Sequence, residues 1–502
     1  MLVLLLFIVP FVCSCLMLAS SGRDARASFS MGLLCTALPL VLASALIAIG
    51  GQGTMAWKWF SLLGIDTEFS LQGFGLSLWM AWLAALLSFL AFAYSGSALS
   101  FGIREFAVGL LALEGTIIGA FLSTQNIVQF LFFFEAMILP ATFLIAIHGG
   151  LKRRRAALVF SIYTLVGSIP LIFAALYLMI KSGSSNIYDI TETAKTLPVS
   201  IQSSLLIAFS IAFAVKTPLF PLHSWQGVTY SEAPYPLSAI LSGAMAKVGV
   251  FGFAVWVIPV FQDLLRVEEH NIYFIFMALF SMLYGAMLAL KQNNIKRLLA
   301  FSSLSHLSLA VAGLFCLSNT VNAGVAVMLV GHGLTAGALF FLGGIAQKWT
   351  GSTNIQNFGA FASTNPIYAS IFGFVGIAAV AVPGTIGFVG EFLILQGLFN
   401  SSYAFLAIIG GIGIIFSAAY TLRLMKNVLF GHPPENGRTS ISLSTFEGVT
   451  AIPIIVLILY FGFHPAPILN SFDKHPIEAI NLIELEIEDE VVDEVEEDGD
   501  EY

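Results

Sequence analysis

The sequence predicts an all-α polytopic membrane protein with about 14 transmembrane helices, and three observations carry that expectation. The 502 residues are 58% hydrophobic and only 10% charged, outside the range of water-soluble globular domains. Mean hydropathy is +0.91. Apolar runs long enough to cross a bilayer, roughly 20 residues each, recur from the first residues to about position 464.

The first run, 2–20, begins MLVLLLFIVPF without a basic leading segment and is longer than the core of a secretion signal, so it reads as a helix. Runs at 31–50 and 71–93 complete an N-terminal block, residues 1–104. A second block, 105–258, carries runs at 105–122, 126–148, 157–180, 200–222 and 235–258. A third, 271–430, carries runs at 271–290, 295–317, 321–345, 366–400 and 404–425, and a last helix is expected at 445–464. Residues 473–502 hold fourteen acidic residues and one lysine, and lack an aromatic before Tyr502. That composition reads as a solvated, disordered tail. The formal charge of −8 thus divides into a tail of −13 and a body of +5.

Basic residues gather in short cytoplasmic loops. Here Arg23, Arg26, Arg104, Lys152, Arg153, Arg154, Arg155, Lys291, Lys296, Arg297, Lys348, Arg423, Lys426 and Arg438 fall in the odd-numbered loops, 14 of the 21 Lys and Arg residues. Only Lys58, Lys181, Lys195, Arg266 and Lys474 lie on the other side, so both termini are expected to face outward. Cys13, Cys35, Cys15 and Cys316 have no metal-ligand spacing and read as small apolar packing residues. The chain also lacks a phosphate loop after a strand, a nucleophile elbow and a cysteine ladder for an iron–sulfur centre. No redox chemistry of its own is expected.

What remains is a short set of ionisable residues inside the spans: Glu114, Glu135, Lys216, Lys247, His306, His332 and Glu391. An intramembrane charge is expensive and marks a polar pathway by default. Glu114 in LLALEGTIIGAF reads equally as a hydrogen-bonded packing acid, and each histidine alone reads as a satisfied buried ring. Glu135 in FLFFFEAMILP is harder to explain by packing, and Lys216 and Lys247 lie too deep to snorkel. Lys291, Lys296 and Arg297 sit at a span end and read as interface anchors.

Backbone chemistry singles out FAVKTPLFPLHSW. Pro218 clashes with the carbonyl of Ala214 and Pro221 with that of Thr217, so the helix is expected to break around Lys216 and leave free carbonyls beside the ammonium. Irregular backbone at membrane depth is tolerated where it is buried or lines a cavity, which is where transporters place ion sites. AVPGTIGFVGEFLILQG repeats the pattern, with Pro383 and Gly384 breaking a run two turns before Glu391. The breaks lie five spans apart, an odd number, which predicts two inverted repeats of spans 4–8 and 9–13. That plan sets Lys216 against Glu391 and Glu135 against His306.

FAVKTPLFPLHSW followed by EAP at 232–234, SGAMAKVGVFGF, NIKRLLAFSSLSHLSLA, GHGLTAGALFFLGG and VPGTIGFVGEFLILQG resembles the antiporter-like subunits of proton-pumping NADH:quinone oxidoreductase, in order from about 105 to 430. A glutamate in the second broken helix resembles subunit M (chain 4), where subunits L and N and the D-type component of multi-subunit sodium/proton antiporters typically carry lysine. One departure is HSWQGVTYSEAP, in which Gln226, Gly227 and Val228 stand where the family more often reads LPD; the acidic tail is another.

The resemblance implies that Glu135 and Lys216 are paired charges in a first half-channel. Lys247 connects them to the centre, His306 and His332 continue the relay, and Glu391 leads to the exit; Glu114 is expected on the same proton route from its intramembrane charge, not from the resemblance. It implies no cofactor or metal in this chain, with NADH, FMN, iron–sulfur clusters and quinone in partner subunits. Partners would be other antiporter-like and small membrane subunits, a hydrophilic redox arm and the lipid bilayer, with no nucleic acid. The implied location is a bacterial inner (plasma) membrane, multi-pass, with both termini periplasmic. The alternative is a D-type component of a multi-subunit sodium/proton antiporter, using the same axis without electron transfer. A substrate permease would need a midplane pocket of convergent polar groups, and the sequence offers a linear series instead.

Overall fold

The computed structural model describes residues 1–20, 24–50, 53–401, 404–432 and 443–472. The acidic tail, and with it Arg23, Arg438 and Lys474, lies outside the described residues. Within them, 13 helices are long and apolar enough to cross a membrane, and two shorter apolar ones, Pro366–Ala379 and Ile386–Asn400, together fill the expected 366–400 span. Every expected span contains helix. The membrane-length stretches of Tyr235–Val260 and Asn319–Thr350 are wholly buried, so these two run through the middle of the bundle. Arg153–Ser182, at the rim, turns Leu158, Ile162, Leu165, Val166 and Phe173 outward. An exposed apolar face of that size would be a liability in water and is what a lipid-facing helix requires.

The third span begins at Gly75 rather than 71, because Thr54–Leu62 and Ile65–Gln72 form an antiparallel hairpin. Leu71, expected in the helix, pairs with Met55 instead. Leu63 and Gly64 at the turn both have positive φ, 54° and 81°, the sense that suits a two-residue hairpin turn. Buried Gln129 accepts from the Ser70 amide at 2.7 Å, and Asn126 donates to Glu68 O at 2.8 Å, so the hairpin is tied to the start of the Ile127–Ala136 helix.

Asn126 is one half of a device that occurs twice. Asn126 and Asn186 form an antiparallel bridge, with the Ile127 amide donating to Ser185 O and the Ile187 amide to Gln125 O. Asn294 and Asn354 do the same, with the Ile295 amide on Thr353 O and the Ile355 amide on Asn293 O. In both, the first asparagine also caps the helix that follows. Each residue of the second bridge lies 168 positions after its counterpart in the first (126 to 294, 186 to 354).

Helix breaks occur where proline chemistry places them. Val199–Lys216 ends at the lysine itself, and Ile386–Asn400 follows a loop in which Gly384 has φ 92°. The freed carbonyls are used differently from the expectation. Ala214 O accepts from the Leu219 amide and Val215 O from the Trp225 indole, both over short distances, so the break is closed off from the lysine ammonium. An interruption that the sequence does not predict lies in Tyr235–Val260, where Leu241–Met245 and Phe253–Val257 are π-helical and flank Lys247–Gly252.

Candidate functional site

Lys216 is 1% exposed, at the last turn of Val199–Lys216. Its Nζ donates to the Phe134 carbonyl at 3.3 Å and stands 4.7 Å from the centre of the Phe134 ring. Glu135 is the next residue along that neighbouring helix and an electrostatic neighbour of the lysine. The two make no contact ion pair, and neither Glu135 oxygen has a hydrogen-bond partner among the described residues. The expected pairing is therefore one of proximity, between a buried ammonium and a half-buried carboxylate.

Lys247 is fully buried in the central helix and donates to Ser242 O at 3.1 Å. The π-helical turn makes this possible. Widening the helix by one residue shifts its hydrogen-bond ladder, as in the Ala246 amide donating to Leu241 O, and brings a backbone carbonyl within reach of a side chain on the same helix. The Ser242 hydroxyl in turn meets Ser303 at 2.6 Å, on the Ile295–Leu314 helix that carries His306.

The second cluster is built as a network. His306 Nδ1 lies 3.0 Å from Glu391 Oε1, and both side chains are at most 8% exposed. His306 Nε2 lies 3.2 Å from Ser417 Oγ and 3.3 Å from the Tyr420 hydroxyl. Tyr420 also meets Ser417 at 3.0 Å and Ser302 at 2.8 Å. His332, from the second central helix, stacks on His306 with ring centres 5.1 Å apart and planes 29° apart. It is also an electrostatic neighbour of Lys247. A cavity of about 20 Å³ lies between them, lined by Ser302, Ser303, His306, His332, Thr335 and Glu391 among others. Its volume and polarity suit one water.

Of the seven expected residues, Glu135 and Lys216 meet at one site, and His306, His332 and Glu391 at another, with Lys247 between. Glu114 lies apart. Its carboxyl is fully buried against Cys13 and Cys35 of the first two helices, with no hydrogen-bond partner for either oxygen among the described residues. Lys296 corrects the sequence reading. It is 7% exposed rather than an interfacial anchor, donating to Ala233 O at 2.7 Å with its Nζ 4.2 Å from the Tyr235 ring centre. The hydroxyls that tie the second cluster together, Ser242, Ser302, Ser303, Ser417 and Tyr420, are missing from the residues that the sequence singles out. The only signal for any of them is the serine spacing of SSLSHLS, which puts 302, 303 and 306 on adjoining faces of one helix.

Residues 124–417 match the profile of the family described as "NADH:quinone oxidoreductase/Mrp antiporter, TM". The chain is 33% identical over 420 residues to NADH-quinone oxidoreductase subunit M of Rickettsia prowazekii, which covers 83% of this chain and 84% of that protein. It superposes with a TM-score of 0.83 and 30% identity on a chain of respiratory complex I from Thermus thermophilus with bound NADH, over 94% of this chain and 99% of that one. A chain of the Mrp complex from Dietzia sp. DQ12-45-1b matches with a TM-score of 0.83 at 18% identity, over 94% and 95% of the two chains; that likeness is one of fold.

Proposed function

Because the chain belongs to the family of antiporter-like membrane subunits shared by NADH:quinone oxidoreductase and Mrp antiporters, we propose that it is a subunit M-type proton translocator of a respiratory NADH:quinone oxidoreductase. The observation that carries this reading is the buried His306–Glu391 pair at 3.0 Å, beside a polar cavity that Ser303 and His332 also line. A glutamate at that position favours subunit M over the D-type antiporter component, as do relatives named subunit M that align over most of the chain. The Mrp likeness is one of fold and leaves the antiporter reading second.

In this reading the chain sits in a multi-subunit assembly with other antiporter-like and small membrane subunits. NADH, FMN, iron–sulfur clusters and quinone belong to partners in the hydrophilic arm and its junction with the membrane. The membrane is a bacterial inner membrane, with both termini on the periplasmic side. Two inverted repeats, spans 4–8 and 9–13, are supported by the duplicated asparagine bridge 168 residues apart and by the two broken helices. In the first repeat, an ammonium buried in apolar surroundings depends on nearby negative charge to hold its proton. Motion of Glu135 relative to Lys216, driven from a neighbouring subunit as quinone is reduced, would alternately hold and release that proton toward Lys247. His332 and His306 pass it on, and Glu391 leads it outward.

The test is the ratio of protons pumped to electrons transferred in the intact complex carrying Lys216→Ala. A fall in that ratio is expected, with quinone reduction retained in uncoupled membranes. An unchanged ratio would sink the assignment.

A further inference from the structure

The stacked histidines pose a chemical problem. Imidazole N–H bonds and lone pairs lie in the plane of the ring, and the two stacked rings, 5.1 Å apart at their centres with planes 29° apart, share no hydrogen bond among the described residues along which a proton could move. His306 has both nitrogens engaged in its own plane, Nδ1 by Glu391 and Nε2 by Tyr420 and Ser417. The His332 ring is buried, and its Nε2 has no partner among the described residues. That residue and Ser302 line the same small cavity, and Ser302 is hydrogen-bonded to Tyr420.

We propose that a proton passes from His332 to His306 through hydroxyl groups rather than across the stack, with Ser302 and Tyr420 as carriers. The inference rests on the proton-moving reading above. The starting state is His332 as the imidazolium and His306 neutral, its Nδ1–H donating to the Glu391 carboxylate and its Nε2 accepting from Tyr420. A water in the cavity takes the His332 Nε2 proton and gives one of its own to Ser302 Oγ. Ser302 passes its hydroxyl proton to the Tyr420 oxygen, and Tyr420 passes its own to His306 Nε2. Every oxygen ends neutral, His332 has lost one proton, and His306 has become the imidazolium ion-paired with Glu391. Glu391 then faces the imidazolium at 3.0 Å, so the transferred charge ends beside a carboxylate. Ser417, the other partner of Nε2, meets Tyr420 but makes no contact with Ser302 among the described residues, so it joins the route only through Tyr420.

The experiment compares Tyr420→Phe, Ser302→Ala and Ser302→Thr in the intact, membrane-reconstituted complex, reading protons pumped per electron and the pH profile of pumping. Tyr420→Phe removes one oxygen and keeps the ring. Ser302→Ala leaves every contact of His306 in place. Both are expected to lower the ratio several-fold and to a similar degree, and Ser302→Thr, which retains a hydroxyl, to restore it. A normal ratio and pH profile in Ser302→Ala, with a deficit in Tyr420→Phe, would mean that Tyr420 only positions His306, and would overturn the route. Normal ratios in both, with Lys216→Ala impaired, would also overturn it and leave the proposed function standing. A normal ratio in Lys216→Ala would instead refute the proposed function itself. Should Tyr420→Phe fail to assemble, the Ser302→Ala and Ser302→Thr pair decides alone.

Discussion

The two charged sites of this chain are built on opposite principles. Around Lys216 the protein supplies one carbonyl, an aromatic face and a carboxylate that does not touch it. Around His306 it supplies a carboxylate at 3.0 Å, two hydroxyls on the other nitrogen and a polar cavity. A buried ammonium without a contact counter-ion gains energy whenever a partner approaches, so it responds strongly to small movements of its surroundings. A hydrogen-bonded network of this kind resists such movement and instead offers a proton a series of bonded partners. The first site suits a switch and the second a conductor, which is the division of labour expected if force arrives at one end of the chain and protons leave at the other.

The sharpest way to break this comparison is to delete each centre and ask what the fold loses. His306→Leu strands the Glu391 carboxylate and removes a partner from Ser417 and Tyr420 inside the bundle. An uncompensated buried charge of this kind costs about 3–5 kcal/mol. Lys216→Leu also leaves a carboxylate, Glu135, without its cationic neighbour, but the two make no contact pair and the ammonium gives up a single hydrogen bond of 3.3 Å among the described residues, so its cost should be the smaller. Thermal unfolding of the detergent-solubilised complex should therefore separate the two variants widely, although both lose proton translocation. Equal destabilisation would show that Lys216 has a structural partner and is not a poised switch.

A smaller effect comes from the glycines that let helices close on each site. A Cβ on Gly249 would overlap Thr217 Oγ1 and stand 2.7 Å from the Thr217 amide nitrogen, next to Lys216. A Cβ on Gly390 would stand 2.6 Å from the Met328 amide nitrogen, next to Glu391. Alanine at either position forces backbone apart and costs roughly 1–3 kcal/mol. The two changes reach pumping by different routes. Gly390→Ala shifts Glu391 away from a 3.0 Å contact and should lower pumping per electron markedly. Gly249→Ala moves the backbone beside Lys216, the movement-sensitive site, and should lower it as well although no contact shorter than 3.3 Å to the lysine is broken. A normal ratio in Gly249→Ala would show that Lys216 is indifferent to small movements and is not a switch.

Much of this architecture is legible in the sequence because bilayer physics is unforgiving. Spans announce themselves by apolar length, helix breaks by proline, and functional charges by their cost, so the breaks at Lys216 and before Glu391 fall where expected. Other features are hidden for definable reasons. The 54–72 hairpin merges into the third span because Phe69 and Leu71 are as apolar as helix residues and extend the run toward its N-terminal side. Lys296 resembles an anchor because sequence gives depth along a helix, not which way it faces, and the loop carrying Ala233 folds over it. The π-helical turns that place Ser242 O near Lys247 leave no mark on hydropathy. Ser302, Ser417 and Tyr420 are invisible for a different reason. Serine in a membrane helix usually bonds its own backbone, as Ser303 does with Leu299 O at 3.0 Å, and nothing in the sequence distinguishes the serines that also reach across to another helix.

The gentlest probe of the comparison removes a single hydroxyl from each site. Ser417→Ala takes one of two partners from His306 Nε2 and leaves Tyr420 at 3.3 Å, so the nitrogen stays satisfied. The expected cost is about 0.5–1.5 kcal/mol, that of one net hydrogen bond, with pumping per electron close to that of the unaltered complex. Ser168, beside Glu135, already donates to Leu165 O at 3.0 Å, so Ser168→Ala removes a backbone contact that a helix does not need. Its effect should lie within about 0.5 kcal/mol. The ordering, and not either value alone, carries the meaning. If Ser417→Ala proves as silent as Ser168→Ala, Ser417 contributes nothing to holding His306, and Tyr420 with Glu391 suffices to fix the ring. If Ser168→Ala is the costlier change, Glu135 draws on that hydroxyl and the first site is less bare than its contacts indicate.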